Sequence, residues 1–203
     1  MRVGVLALQG DFAEHGAALR RVGPVHSEPV EVREVRTAGE LEEIDGLVIP
    51  GGESTTIGKL LRDFGILEPL RRRVACGLPV LGTCAGAIVL AREVDGLPQP
   101  LVGLMDISVR RNAYGRQMES FEVDVDVPDL GDPPLRAIFI RAPSITFVGS
   151  GVRVLARLPD RSPVAARQGS LLALSFHPEL TGDARMHRYF AGMVQESRGT
   201  AAA

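Results

Sequence analysis

The chain has 203 residues, of which 45% are apolar and 24% are charged, and its formal net charge is −2. These values are typical of one soluble globular domain, and they exclude a strong field that would attract nucleic acid or an anionic membrane. The sequence has two cysteines, no CxxC pair and no apolar run of the roughly 18 residues that a membrane helix needs. We therefore expect free thiols, no zinc site and a reducing cytoplasm.

The first half of the chain alternates apolar runs with segments of helical spacing. The predicted strands are 3–8, 30–35, 46–50 and 79–84, and the predicted helices are 11–22, 40–44, 55–64, 66–76 and 85–93. Asp11 stands where it can cap the first helix. An alternation of strand and helix predicts a mainly parallel sheet with right-handed crossovers.

The second half changes to shorter strands. Residues 107–127 alternate with period two around a glycine-bearing turn, so we expect antiparallel strands there. Further strands are predicted within 135–143, 152–158 and 162–176, with a hairpin turn at 168–170, a surface loop at 128–134 and a last helix at 183–196. We predict a single domain over residues 1–197 and a loose tail at 198–203.

Cys84 ends the fourth predicted strand, within the sequence GTCAG. The pattern G-x-C-x-G is the cysteine counterpart of the nucleophile elbow, a sharp strand-to-helix turn that needs glycine two residues to either side. The N–H groups at the start of the next helix favour a thiolate, and that of Ala85 can donate to an oxyanion. Cys76 lacks such surroundings and is interpreted as a buried structural cysteine; that reading stays open for Cys84 unless a base lies nearby.

His177 is the best candidate for that base, because it closes a buried strand in the sequence SFHPE. Glu179 lies two residues further on, and two residues of an extended segment share a face, so its carboxylate can orient the imidazole. The sequence thus predicts a Cys-His-Glu unit, with a simple strand end as the alternative for SFHPE. We interpret His15, His26 and His187 as structural or solvated.

The segment IPGGESTT, residues 49–56, follows another buried strand. Gly51 and Gly52 allow the backbone to approach a ligand closely, and we expect the N–H groups of Gly52 and Ala85 to surround an oxyanion. The spacing does not fit a phosphate-binding P-loop. Glu53 has two open interpretations: a partner for a ligand ammonium, or a carboxylate at a helix N-terminus.

At this point three motifs, PGGES, GTCAG and FHPE, resemble the class I (triad) glutamine amidotransferases. GVLALQGDFAEH, RNAYGRQMESFE and FIRAP resemble more particularly the glutaminase subunit of pyridoxal 5'-phosphate synthase, the PdxT family. The likeness runs from residue 3 to about residue 196. It implies a three-layer, flavodoxin-like α/β fold, with a mainly parallel central sheet and an antiparallel extension.

The resemblance also implies roles for individual residues. Cys84 is the nucleophile, His177 the base and Glu179 its partner. The implied glutamine-binding residues are Gly52, Glu53, Ser54, Arg111, Ile140 and Arg141. Gln9 and Gly10 are expected to face a synthase subunit.

The activity that the resemblance implies is hydrolysis of L-glutamine to L-glutamate and ammonia through a glutamyl thioester. The ammonia passes to a PdxS-like synthase subunit, and this chain needs neither cofactor nor metal. Two alternatives stay open: a stand-alone cysteine hydrolase or stress-response protein with the same elbow, and a non-catalytic binding subunit that kept the sheet.

Overall fold

The computed structural model describes residues 1–25, 27–96, 98–111 and 120–201. The strands are β1 (Arg2–Leu6), β2 (Glu31–Val35), β3 (Gly46–Ile49), β4 (Val80–Thr83), β5 (Ala91–Asp95), β6 (Met105–Arg110), β7 (Ser120–Val125), β8 (Leu135–Ile140), β9 (Ser144–Val148), β10 (Arg153–Arg157), β11 (Pro163–Gln168) and β12 (Leu171–Leu174). The helices are α1 (Phe12–Arg21), α2 (Ala38–Glu42), α3 (Ser54–Asp63), α4 (Leu67–Ala75), α5 (Ala85–Leu90) and α6 (Arg185–Ala201), with short 3₁₀ turns at Pro128–Leu130 and Pro178–Leu180. In the part of the chain described, no helix is both long and apolar enough to cross a bilayer.

The central sheet has the strand order β10-β11-β12-β4-β3-β1-β2. The strands from β12 to β2 pair in parallel, whereas β11 and β10 add an antiparallel extension. This architecture confirms the predicted α/β class. The carboxyl ends of parallel strands share one edge of a sheet, so the residues that follow β3, β4 and β12 are brought together.

Helices cover both faces of this sheet and complete three layers. Side chains alternate between the faces along each strand. Ile49 therefore packs in a cluster with Leu61 of α3. Its neighbour Val48 packs in a second cluster with Leu19 of α1 and Phe190 of α6. The smaller sheet β5-β6-β9 joins the first cluster, and the β7-β8 pair joins the second.

Two element ends and one strand pairing differ in kind from the sequence predictions, beyond shifts of one or two residues elsewhere. The predicted helix 85–93 ends at Leu90, and Ala91 starts β5, which pairs with β6. The strands on either side of the predicted turn form, but β6 pairs with β5 and β9 while β7 pairs with β8. Helix α6 continues to Ala201, so residues 198–201 are helical rather than a loose tail. His26 and the turn residues 112–119 lie outside the described residues.

The strand-to-helix turn at Cys84 depends on two close backbone contacts. A Cβ atom at Gly82 would lie 2.5 Å from the Gly86 carbonyl oxygen, and one at Gly86 would lie 2.0 Å from the Ile49 carbonyl oxygen. Both distances are shorter than van der Waals contact, and the atoms that the added Cβ would meet belong to the backbone, which cannot rotate away as a side chain can. The two glycines of the sequence motif are therefore required by packing, and Gly86 also joins α5 to β3.

We expect Gly86→Ala to lower the free energy of unfolding by about 1–3 kcal/mol, since the added methyl group must push α5 away from β3. Gly192→Ala is the matched control, because a Cβ atom at this α6 position meets nothing within 4 Å. Replacing that helical glycine should leave stability unchanged or raise it by up to about 1 kcal/mol. Urea unfolding of both variants measures the difference; equal stabilities would contradict the packing argument.

Candidate active site

Cys84 occupies the turn between β4 and α5 with a φ of 48°. With its ψ of −105°, this positive φ lies in a sparsely populated region and is strained by about 1–3 kcal/mol for a residue with a side chain. The turn is held by a hydrogen bond from the Cys84 N–H to the Leu174 carbonyl of β12, at 2.8 Å. The side chain is nearly buried, and its Sγ lies 3.9 Å from the Ile140 carbonyl oxygen. This geometry matches the predicted elbow.

His177 follows β12 and is held by a backbone hydrogen bond to Ile138 of β8, at 2.8 Å. Its Nδ1 lies 2.6 Å from Oε1 of Glu179, and both side chains are buried. Because a carboxylate only accepts hydrogen bonds, Nδ1 carries the proton. Oδ2 of Asp11 lies 3.4 Å from the same nitrogen.

The electrostatic environment of the pair favours a charged imidazole. Burial by itself lowers the pKa of His177, but hydrogen bonds and charge interactions with Cys84 and Glu179 outweigh it and raise the pKa to about 10. Burial raises the pKa of the Glu179 carboxyl, and the hydrogen bond from His177 offsets part of this rise. The cation next to Cys84 is the kind of neighbour that stabilises a thiolate.

A cavity of about 400 Å³ opens at this edge of the sheet. Ten residues predicted from the sequence line it: Gln9, Gly52, Glu53, Ser54, Cys84, Ala85, Arg111, Ile140, Arg141 and His177. The lining also contains Asp11 and Ile88, which were not predicted there. Gly10 and Glu179 do not line it.

A larger cavity, of about 560 Å³, lies at the opposite ends of the strands between Asp45, Cys76 and Arg198. None of the predicted site residues lines it. Cys76 is exposed, so the expectation that it is a buried cysteine was wrong. Its position just after α4 explains the exposure, because the chain reaches the surface there before returning into β4.

The structure confirms one of the two interpretations of Glu53, a carboxylate at a helix N-terminus, while the partner for a ligand ammonium stays a prediction. Its Oε2 accepts a hydrogen bond from the Thr56 N–H at 2.7 Å and so caps α3. Its Oε1 accepts from Arg111 Nη2 at 2.7 Å, and Arg111 Nη1 donates to Thr55 Oγ1 at 3.0 Å. Burial raises the Glu53 pKa, but the hydrogen bonds from Thr56 and Thr55 lower it overall. An anionic and a cationic side chain thus meet at the wall of the cavity.

The glycine loop is packed between the start of α1 and the imidazole. A Cβ atom at Gly51 would lie 2.4 Å from Cε1 of His177, and one at Gly52 would lie 2.5 Å from Oε1 of Gln9. That Gln9 oxygen accepts a hydrogen bond from the Glu53 N–H at 2.8 Å. The Gly51 carbonyl accepts from the Asp11 N–H at 3.3 Å.

A potential metal-ligand group among the described residues consists of Asp11, His177 and Glu179, whose ligand atoms lie within 4.8 Å of one another. Nδ1 of His177, however, is already hydrogen-bonded to Glu179. A metal here would have to displace that proton and break the pair. The absence of a metal stays a prediction.

Several residues around the site were missed or underrated in the sequence. Asp11 stands at the N-cap of α1, as expected, but its side chain makes no capping bond and instead faces His177. His15 and His187 are buried and meet beside Glu179. The spacing of four between Asp11 and His15 puts both on one face of α1, which was the available signal. Gln99, which accepts a hydrogen bond from Ser54 Oγ at 3.2 Å, had no signal in the sequence.

Known proteins match this chain over almost its whole length. Pyridoxal 5'-phosphate synthase subunit PdxT of Parafrankia sp. (strain EAN1pec) is 60% identical over 200 residues, which cover 98% of this chain and 95% of the relative. The PdxT subunit of Carboxydothermus hydrogenoformans is 55% identical, covering 96% of this chain and 98% of the relative. A crystal structure of a glutamine amidotransferase superimposes with a TM-score of 0.88 at 54% identity, covering 95% of this chain and 98% of that one. The model of the SNO glutamine amidotransferase family matches residues 5–196, and the chain therefore belongs to that family.

Proposed function

We propose that this chain is the glutaminase subunit of pyridoxal 5'-phosphate synthase. It hydrolyses L-glutamine to L-glutamate and ammonia and delivers the ammonia to a PdxS-like synthase subunit, in the cytoplasm. Family membership and the PdxT relatives support the activity. The single observation that carries the chemistry is the elbow cysteine, Cys84, which shares a cavity with His177, while Nδ1 of that histidine lies 2.6 Å from Glu179.

In the first half of the reaction, the Cys84 thiolate attacks the side-chain carboxamide carbon of glutamine. The carbonyl oxygen becomes an oxyanion, which accepts hydrogen bonds from the N–H groups of Ala85 and Gly52. Ala85 is suited to this because it is the first residue of α5, where a backbone N–H has no acceptor within the helix. His177 then gives its proton to the departing nitrogen, ammonia leaves, and a glutamyl thioester remains.

In the second half, a water molecule takes the place of ammonia. His177, now neutral, accepts a proton from the water as it attacks the thioester carbon. The carbon–sulfur bond breaks, glutamate forms, and the thiolate is restored beside the imidazolium. Glu179 keeps Nδ1 of His177 protonated throughout, so that Nε2 is the nitrogen that exchanges protons with substrate and water.

The polar ends of glutamine require opposite charges at the far wall of the cavity. Glu53 supplies a carboxylate for the α-ammonium group, and Arg111 supplies a guanidinium for the α-carboxylate. Ser54, Ile140 and Arg141 complete the wall around the side chain of the substrate. In the free subunit Glu53 and Arg111 pair with each other at 2.7 Å, so binding exchanges one ion pair for two.

Cys84→Ala is expected to reduce ammonia release from L-glutamine by roughly 10⁴-fold or more, because it removes the nucleophile of both steps. The complex with the synthase subunit should still form, since only one nearly buried sulfur is lost. Cys76→Ser is the matched control, because that thiol lies at the other end of the strands, and it should retain activity. Ammonia release together with size-exclusion chromatography checks both; a Cys84→Ala subunit that still releases ammonia would refute the assignment.

The raised pKa of His177 predicts an unusual pH dependence of alkylation at Cys84. A pKa of about 10 keeps the imidazole charged below that pH, so the thiolate retains its cationic neighbour throughout the neutral range. Both proteins compared carry Cys76→Ser, so that Cys84 is the thiol alkylated. At about pH 6, iodoacetamide should react with Cys84 at least about tenfold faster when His177 is present than in the His177→Gln variant. The two rates should converge as the pH rises above about 10, where His177 loses its charge. A ratio that does not change with pH would contradict the ion pair.

We also expect the isolated subunit to be a weak glutaminase. The loop at Gly51 and Gly52 is bonded to Asp11 and covered by Gln9, and its two glycines permit the peptide to rotate and withdraw an oxyanion donor. If docking of the synthase subunit at Gln9 and Gly10 sets that peptide, ammonia release should rise by about 100-fold, the usual effect of one such donor. Equal turnover with and without the synthase subunit would favour a stand-alone hydrolase.

A further inference from the structure

Two buried histidines take no part in the mechanism proposed above. His15 lies on α1 and His187 on α6, and both side chains are fully buried on the face of the sheet that these helices cover. Neither lines the cavity at Cys84. A buried polar side chain is destabilising unless it is hydrogen-bonded. The contacts of these two histidines therefore indicate their role.

His15 contacts two residues next to the active site through one ring nitrogen. Its Nε2 lies 3.0 Å from Oγ1 of Thr83, the residue before the nucleophile, and 3.2 Å from Oε2 of Glu179. That Glu179 oxygen is buried and makes no hydrogen bond within the described residues. The nearby His15 nitrogen is therefore the polar group placed to meet its charge.

The second ring nitrogen of His15 faces His187. His15 Nδ1 lies 3.0 Å from His187 Nε2. Burial, together with the neighbouring His187 and His177, lowers the pKa of His15 well below 6.5, and burial followed by the charge of Arg21 lowers that of His187 to about 4. Both rings are thus neutral at neutral pH, and a neutral imidazole has one donor and one acceptor nitrogen.

The carboxylate decides which nitrogen of His15 carries the proton. A lone pair on Nε2 would lie 3.2 Å from the Glu179 carboxylate and be repelled by its negative charge, whereas an N–H there is attracted to it. With Nε2 protonated, Nδ1 accepts, and His187 must donate through its own Nε2. Its Nδ1 is then left without a proton; this atom is buried and makes no hydrogen bond in the described part of the chain.

We propose that His15 is a positioning residue for the triad, whose Nε2–H holds the Glu179 carboxylate and the Thr83 end of β4 in register, while His187 fixes its tautomer. This inference rests on the proposed glutaminase mechanism. Glu179 uses one oxygen for His177 and turns the other towards His15, so a carboxylate that loses the second contact is free to rotate away from the first. His177 then loses its orientation towards Cys84.

The test compares His15→Leu with His15→Gln in the complex with the synthase subunit. Leucine fills a similar volume without a donor, whereas glutamine carries an amide nitrogen close to the place of Nε2. Since misplacement of a catalytic group by about 1 Å reduces turnover by about 100-fold, we expect His15→Leu to lower kcat by about that factor. KM should change less than about twofold, because His15 does not line the cavity, and His15→Gln should recover most of kcat. An equal loss of kcat in both variants would overturn the proposal.

A matched control separates positioning from stability. Leu41→Ala removes a fully buried side chain in α2, away from the triad, and should lower Tm while kcat at the assay temperature stays unchanged. If kcat of the histidine variants and of Leu41→Ala falls in proportion to Tm, His15 acts only through stability and the proposal fails.

A second readout does not depend on turnover. The Nδ1–H proton that His177 shares with Glu179 at 2.6 Å should give a downfield proton NMR signal. We expect this signal to shift or broaden in His15→Leu, to return in His15→Gln and to stay unchanged in Leu41→Ala. An unchanged signal in His15→Leu would overturn the proposal. Absence of ammonia release by the wild-type complex would refute the proposed function instead, and the NMR series would still judge the role of His15.

Discussion

The positive φ at Cys84 is the constraint on which the rest of the site depends. An L-residue adopts this conformation only when its surroundings enforce it. Here the enforcing contacts are the bond from the Cys84 N–H to β12 and the two glycines at positions 82 and 86, which let α5 lie directly against β3 and β4. The result is a sulfur aimed into the cavity, next to an N–H group at the start of α5. A relaxed backbone at this residue would separate the sulfur from the imidazole and the donor together.

Three histidines meet at this edge of the sheet, and their environments give them different charges. His177 has a carboxylate and a thiol as neighbours, which raise its pKa in spite of burial. Burial is the main cause that lowers the pKa of His15 and of His187, so both stay neutral. The carboxylate of Glu179 lies between the charged ring and the neutral ring. The same residue type is therefore charged at one position and neutral at another.

The sequence could predict what local spacing determines. The elbow follows from glycines two residues to either side of Cys84, and the pairing of His177 with Glu179 follows from a separation of two in an extended segment. Contacts between residues far apart in the chain could not be predicted from local spacing. The apolar run before Ala91 has the composition of a helix, and only its pairing with β6 makes the next residues a strand. His15 looked like an ordinary helical histidine because its partners, Thr83 and Glu179, lie 68 and 164 positions away in the chain.

The absence of a side chain at Gly51 has a further mechanical consequence. The loop backbone at this residue touches the His177 ring on one side and bonds to the Asp11 N–H on the other. No flexible side chain lies between them to absorb a displacement, and closely packed atoms transmit strain. A shift of the segment Gln9–Asp11 therefore moves the loop and presses on the imidazole in the same motion. The loop and the His177 ring therefore respond together to a movement that begins at Gln9–Asp11.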